Sequence, residues 1–221
     1  MSDNAPTRHD QRYAGASRVL RACIVSSDNI APWTITVSKI IAGWGTAQTL
    51  HVLRWLFLDR EVGQGMDADE GFVVAMASLN HPLSSIRSAS RSLVVSVAIR
   101  AIGDVAYAHA HTFPTESFIT RFPLAFLWCE KEIDECLQRT HWTRPGLLVA
   151  LVLLSRLVPP KDESSSSARL KTLAKLCITI ACKCELAGLR EIAGRAAAGV
   201  VTARVGEALV KEVTTRKWAS L

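Results

Sequence analysis

The chain has 221 residues, of which 49% are hydrophobic and 21% are charged. These proportions are close to those of ordinary globular domains and argue against a largely disordered chain. The length is enough for one large domain, or one domain with a helical extension, to bury a core without disulfide bonds. The formal net charge is +6, so an acidic protein surface or a phosphate backbone is a more suitable partner than a basic surface.

The positive charge is unevenly distributed. Pro160 to Leu221 contains eleven Lys and Arg residues against six Asp and Glu, whereas Glu61 to Thr120 contains three against six. The C-terminal third therefore carries the surplus. Its cations are spread along helices rather than clustered, so a solvated basic face is the simpler interpretation.

Cysteine usage and the N-terminus bear on the compartment. Most of the six cysteines lie in apolar helical runs without a CxxC motif, which favours buried thiols in a reducing compartment. Met1 to Asp10 is polar and lacks the apolar run of a signal peptide. The longest apolar run, Leu147 to Leu154, is far shorter than the ~20 residues that cross a bilayer. We expect a soluble intracellular protein, cytoplasmic or nuclear, that does not enter a membrane.

The first 121 residues predict a tail followed by helices. Residues 1–15 are expected to be a disordered tail, and residues 16–121 an N-terminal helical region. The apolar stretch from Pro32 to Arg60 predicts either one helix, bent at Gly43 and Gly45, or two helices. The other predicted helices are Ser17 to Ser26, Glu70 to Leu79, Ser84 to about His109, and a short one from Thr115.

Residues 122–221 also read as helices. A polar break, Pro159 to Ser167, separates two apolar segments that run from Arg144 to Val158 and from Arg169 to Glu185. The second segment has apolar residues at helical spacing. They are Leu170, Leu173, Ala174, Cys177, Ile180, Ala181 and Cys184. With helices from Leu124 to Gln138, Leu189 to Ala198 and Val201 to Trp218, the chain is predicted to be an all-α multi-helix bundle.

Catalytic or metal-binding motifs are not recognisable in the sequence. Cys177, Cys182 and Cys184 are thiolate candidates for zinc, but a fourth ligand at a usual spacing is missing and Cys182 lies on another helix face. Four carboxylates on one predicted helix, which paired could do acid–base work, are interpreted as a solvated face. They are Glu130, Glu132, Asp134 and Glu135. We therefore expect no enzyme activity, no cofactor and no metal site.

Four segments of residues 123–221 resemble the helices of a cyclin box, the five-helix module that binds and activates a protein kinase. The resemblance is to the single-box cyclins of the phosphate-regulation type. Phe126 to Leu137 is similar to the first box helix, Leu147 to Val158 to the second, Leu173 to Glu185 to the third, and Leu209 to Val213 with Trp218 to the fifth. This resemblance implies a cyclin-box-like helical domain at 122–221.

The resemblance also implies a partner and the residues that hold it. In cyclins a lysine at the end of the third helix and a glutamate of the fifth contact the regulatory helix of the kinase. The lysine corresponds to Lys183, and the glutamate to either Glu212 or Glu207. On this hypothesis the chain is a non-catalytic interaction module that regulates a kinase by helix docking.

A second hypothesis is an all-α viral nucleocapsid or coat-type protein that binds single-stranded RNA and self-assembles. The predicted N-terminal arm, the basic excess and the helical body suit it. Val37 to Trp44 is similar to a segment of some negative-strand virus nucleoproteins. Such a protein lines a groove with cations from several helices. The candidates are Arg87, Arg91, Arg169 and Lys171.

Overall fold

The computed structural model describes residues 47–60, 62–102, 113–162 and 167–219, with the single positions 15, 18, 19 and 22; the side chains of Ile102 and of 216–219 are outside this description. Within these residues there are nine α-helices and two strands of two residues each, which confirms the all-α bundle. Most of the predicted tail and of the Ser17 to Ser26 helix, and the residues from Pro32 to Trp44, lie outside the described part.

The described residues fall into two compact units, one ending at residue 108 and one beginning at residue 109. The division lies ahead of the boundary at 121/122 that the sequence suggested. The short helix that begins at Thr115 therefore belongs to the second unit. Each unit has its own buried apolar residues.

Three helices build the described part of the first unit: α1 (Ala47–Leu58), α2 (Ala68–Ala77) and α3 (Ser84–Ile102). Short 3-10 turns, Val62–Gly65 and Ser78–Asn80, follow α1 and α2, and α3 packs on both of these helices. The helix predicted from Glu70 to Leu79 corresponds to α2; Asp67 and Asp69 precede the predicted start.

The carboxylate of Asp67 caps α2 by accepting hydrogen bonds from the backbone N–H groups of Asp69 at 2.9 Å and Glu70 at 3.2 Å. Gly71 lets α2 approach α1, because a Cβ there would lie 2.4 Å from Cζ of Phe57. The beginning of α2 is thus set by a local cap, whereas its close approach to α1 depends on the absence of a side chain at Gly71.

The second unit contains six helices joined by short connections. Its elements are β1 (Phe113–Pro114), α4 (Thr115–Arg121), α5 (Pro123–Arg139), α6 (Pro145–Leu154), β2 (Leu157–Val158), α7 (Ala168–Lys183), α8 (Ala187–Val200) and α9 (Ala203–Ala219). Proline opens α5 and α6, at the position where its missing N–H costs no helical hydrogen bond. The helices predicted from residue 122 onward are therefore present, with ends displaced by a few residues.

The two strands were not predicted, because each is only two residues long. They pair in parallel, with Phe113 opposite Leu157 and Pro114 opposite Val158. Beside them the buried hydroxyl of Thr115 lies 2.9 Å from the carbonyl oxygen of Val158 and 2.7 Å from that of Gly199. These contacts join the start of α4 to β2 and to the end of α8.

Candidate functional site

Helix α7 is the centre of the second unit and packs on α5, α8 and α9. It begins where the Ser167 hydroxyl accepts a hydrogen bond from the backbone N–H of Leu170. Its predicted apolar stripe is largely confirmed. Buried residues are Leu170, Leu173, Ala174, Cys177, Ile178 and Ile180, with Cys184 just beyond the helix and Ala181 half-buried.

The face of α7 opposite the stripe is basic. The helix carries four cations and no carboxylate: Arg169, Lys171, Lys175 and Lys183. Helix α7 packs on α8 and α9, and these three packed helices are together named here the basic layer. Between Ala168 and Ala219 there are ten Lys and Arg residues against four Asp and Glu, whereas Phe113 to Val158 contains five of each. The positive surplus of the second unit therefore resides in one group of packed helices.

Arg169, a candidate RNA contact, is engaged within the protein. Its Nε lies 2.8 Å from both carboxylate oxygens of Glu130 on α5, and its Nη2 also donates to Glu130. The guanidinium lies 4.8 Å from the ring centroid of Phe126. The hydrogen bonds to Glu130 raise the pKa of Arg169. This cation fastens α7 to α5, and RNA would have to compete with Glu130 for it.

The three residues of the kinase hypothesis lie on two helices that pack on each other, Lys183 on α7 and Glu207 and Glu212 on α9. Glu212 on α9 accepts from Nζ of Lys175 at 2.6 Å. Lys183 is exposed at the end of α7, eight residues further on, which corresponds to about 12 Å along the helix axis. Glu207 is exposed five residues before Glu212. The carboxylate thus serves a lysine that the sequence did not single out.

The other RNA candidates differ in availability. Arg87 on α3 donates to the carbonyl oxygens of His81 at 2.8 Å and Pro82 at 2.6 Å, so it supports the turn before its own helix. Arg91 on α3 and Lys171 on α7 are exposed. Arg87 and Arg91 belong to the first unit, whereas Arg169 and Lys171 belong to the second.

An acidic cluster was wrongly expected to be a solvated face. Glu132 is buried, and Arg144, just before α6, donates to it at 3.0 Å and to Glu135 at 3.2 Å. The thiol of Cys136 donates to the other oxygen of Glu132 at 3.6 Å. Burial, together with Glu132, raises the pKa of that thiol to about 12. The cluster holds α5 to α6. The spacing along α5 alone could not show that an arginine twelve residues away completes it.

Among the other cysteines that the structure describes, Cys129, Cys177 and Cys184 are buried and Cys182 is exposed. Burial raises the pKa of Cys177 to about 12 and that of Cys129 further. In the described ranges no three His, Cys, Asp or Glu side chains are grouped so as to hold a metal ion. None of the helices in these ranges is long and apolar enough to cross a bilayer.

Comparison with known proteins does not assign the chain to a family. No protein-family model matches it, and no curated protein or solved structure matches it either. A function must therefore be argued from the described residues themselves, and their most pronounced feature is the positive charge of the basic layer.

Proposed function

We propose that the chain binds single-stranded RNA through its basic layer and self-assembles on it, in the manner of a coat-type or nucleocapsid protein. The observation that carries this proposal is the ten-to-three excess of cations over carboxylates on three helices that pack together. Lysines and arginines that neutralise RNA phosphates release the counterions bound to the RNA. This release is the main source of sequence-independent affinity.

Two lysines of α7 suit phosphate contacts best. Lys171 and Lys183 are both exposed, and twelve residues separate them, so they lie about 18 Å apart along the axis. Lys211 on α9 is exposed as well. By contrast, Arg169 and Lys175 are paired with carboxylates: Arg169 joins α7 to α5, and Lys175 joins α7 to α9.

Fluorescence anisotropy with a labelled oligouridine at several salt concentrations tests the proposal. The chain is expected to bind with an affinity that falls as salt rises. Replacing both Lys171 and Lys183 by alanine should lower the slope of log K against log salt by about 1.4, because each phosphate contact on a single strand contributes about 0.7. A binding constant that does not respond to salt would refute the proposal.

A matched control comes from α5. Lys131 is also strongly exposed, with 75% of its side chain accessible, but it lies outside the basic layer. Lys131→Ala should leave the salt slope close to that of the unmodified chain. The single variants Lys171→Ala and Lys183→Ala are measured beside it. If Lys131→Ala lowers the salt slope as much as either of them, only net charge matters and the basic layer is not the binding surface.

A kinase-regulating function is the second candidate, favoured by one observation. Five helices, α5 to α9, follow Pro123, and Lys183 is exposed at the end of the third of them, which suits the helix docking implied by the cyclin-box resemblance. Here Lys183→Glu should abolish capture of a kinase, identified by its activity, whereas Lys131→Glu should retain it. Unchanged capture by Lys183→Glu would exclude this contact.

A further inference from the structure

Helix α9 is the most loosely packed helix of the second unit. None of its side chains from Ala203 to Thr215 is buried, whereas α8 buries six residues. Its apolar residues Val205, Leu209 and Val213 are only half-buried, at the i, i+4, i+8 spacing of one helix face. It packs mainly on α7, with the ion pair between Lys175 and Glu212 near the middle of both helices. Undocking α9 therefore gives up little burial.

The connection that holds α9 in place is short and extended. Only Val201 and Thr202 lie between α8 and α9, and Val201 has φ −135° and ψ 158°. With Val200 they form a run of three β-branched residues, which prefer extended backbone to a tight turn. The Thr202 hydroxyl stands directly before α9, where it is suited to cap the helix, yet it is buried without a hydrogen-bond partner. The closed connection therefore leaves one buried hydroxyl unsatisfied.

We propose that α9 exchanges between two copies of the chain, each α9 packing on the α7 of the other. A swapped α9 makes the same contacts with α7 that it makes within its own chain, so the groove on α7 has an occupant of known fit. Exchange also frees this connection from the closed arrangement, in which the Thr202 hydroxyl is unsatisfied. Short hinge loops favour such exchange. The inference rests on the self-assembly part of the proposed function and gives it a mechanism.

The Lys175–Glu212 pair provides the test, because exchange makes it a contact between chains. A Lys175→Glu chain sets two carboxylates against each other within one copy, and a Glu212→Lys chain sets two ammonium groups against each other. In a swapped heterodimer of these two variants, one interface regains an inverted Glu–Lys pair and the other keeps the native pair. Mixing therefore restores both interfaces only if α9 crosses between chains.

Native mass spectrometry of each variant and of their equimolar mixture, with and without oligouridine, reads this out. The unmodified chain is expected to form dimers or larger species, each variant alone fewer of them, and the mixture a heterodimer above its statistical share. Circular dichroism checks that both variants stay folded; both positions are only half-buried, so they should. A matched control is Glu191→Arg mixed with Arg195→Glu, a pair that lies within α8 and that mixing cannot restore across chains.

Two results would overturn the exchange. One is an unmodified chain that stays monomeric with and without oligouridine; the other is a mixture in which the heterodimer never exceeds its statistical share. RNA binding is scored separately by the salt dependence of oligouridine anisotropy. Intact binding without heterodimer enrichment refutes the exchange alone, whereas loss of salt-dependent binding refutes the proposed function.

Discussion

Gly199, in the last turn of α8, is the position at which a single methyl group should do most damage to the second unit. A Cβ built there would lie 2.5 Å from the carbonyl oxygen of Leu154 and 3.0 Å from that of Leu157. Both are backbone atoms at the end of α6 and the start of β2, so neither can rotate away as a side chain would. Gly199→Ala therefore forces α8 away from this turn, and with it the carbonyl that faces the Thr115 hydroxyl.

The magnitude follows from two opposing terms. Overpacking of a close-packed interior costs about 1–3 kcal/mol or more, and losing the hydrogen bond to Thr115 adds about 1 kcal/mol. Alanine gains at most about 1 kcal/mol over glycine in a helix, and less in a last turn. We expect a net loss of about 1–3 kcal/mol, which in a chain of this length lowers Tm by roughly 3–10 °C.

Differential scanning calorimetry measures this, and α8 supplies its own control. Gly194 is exposed in the same helix, and a Cβ there would meet nothing within 4 Å. Gly194→Ala should raise Tm by roughly 1–4 °C, because only the helix-propensity gain remains. If Gly199→Ala raised Tm as much as Gly194→Ala does, α8 would not approach β2 as closely as described, and the argument for the Thr115 contact would fail with it.

Three further perturbations test the interior of the second unit. Arg144→Met should destabilise the chain by about 3 kcal/mol in urea unfolding, since it removes a partner of the buried Glu132; adding Glu132→Gln should recover part of the loss, and no recovery would mean that the carboxylate charge is not the cause. Thr115→Val should cost about 1–3 kcal/mol by the same measurement, as a buried carbonyl loses its donor; a neutral effect would count against that hydrogen bond. Burial keeps Cys136 and Cys177 neutral up to pH about 12, whereas in the unfolded chain thiols ionise from about 8.5. The unfolded state therefore binds fewer protons in this window, and each thiol should remove up to about 1.4 kcal/mol of stability per pH unit as pH rises through it. Replacing Cys177 by alanine should lessen that slope in urea unfolding followed from pH 8.5 upward, and an unchanged slope would contradict its burial.

The helices of the second unit were predictable because their signals are local. Periodic apolar residues marked the buried face of α7, and helices were expected on either side of the polar break that ends at Ser167. The hydrogen bond from Leu170 to the Ser167 hydroxyl spans only three residues. Such signals act within one or two turns, so they do not depend on what the helix packs against.

The partners of the charged side chains were not predictable from the same information. Glu130 pairs with Arg169 across 39 positions, and Glu212 pairs with Lys175 across 37. Which cation meets which carboxylate depends on the rotation and crossing of the helices that carry them, and these are set by core packing. For that reason the sequence alone did not show that Glu212 pairs with Lys175.

The sequence by itself therefore determined that the chain is helical, which face of α7 is buried and in which third of the chain the positive charge is concentrated. Only the tertiary structure decided that this charge lies on three packed helices, that Glu132 is an interior residue and that α9 lies on α7 without burying a side chain from Ala203 to Thr215. The physical reason is range: helix formation and capping act between residues three or four apart, whereas charge pairing and burial depend on contacts between segments that are distant in the chain.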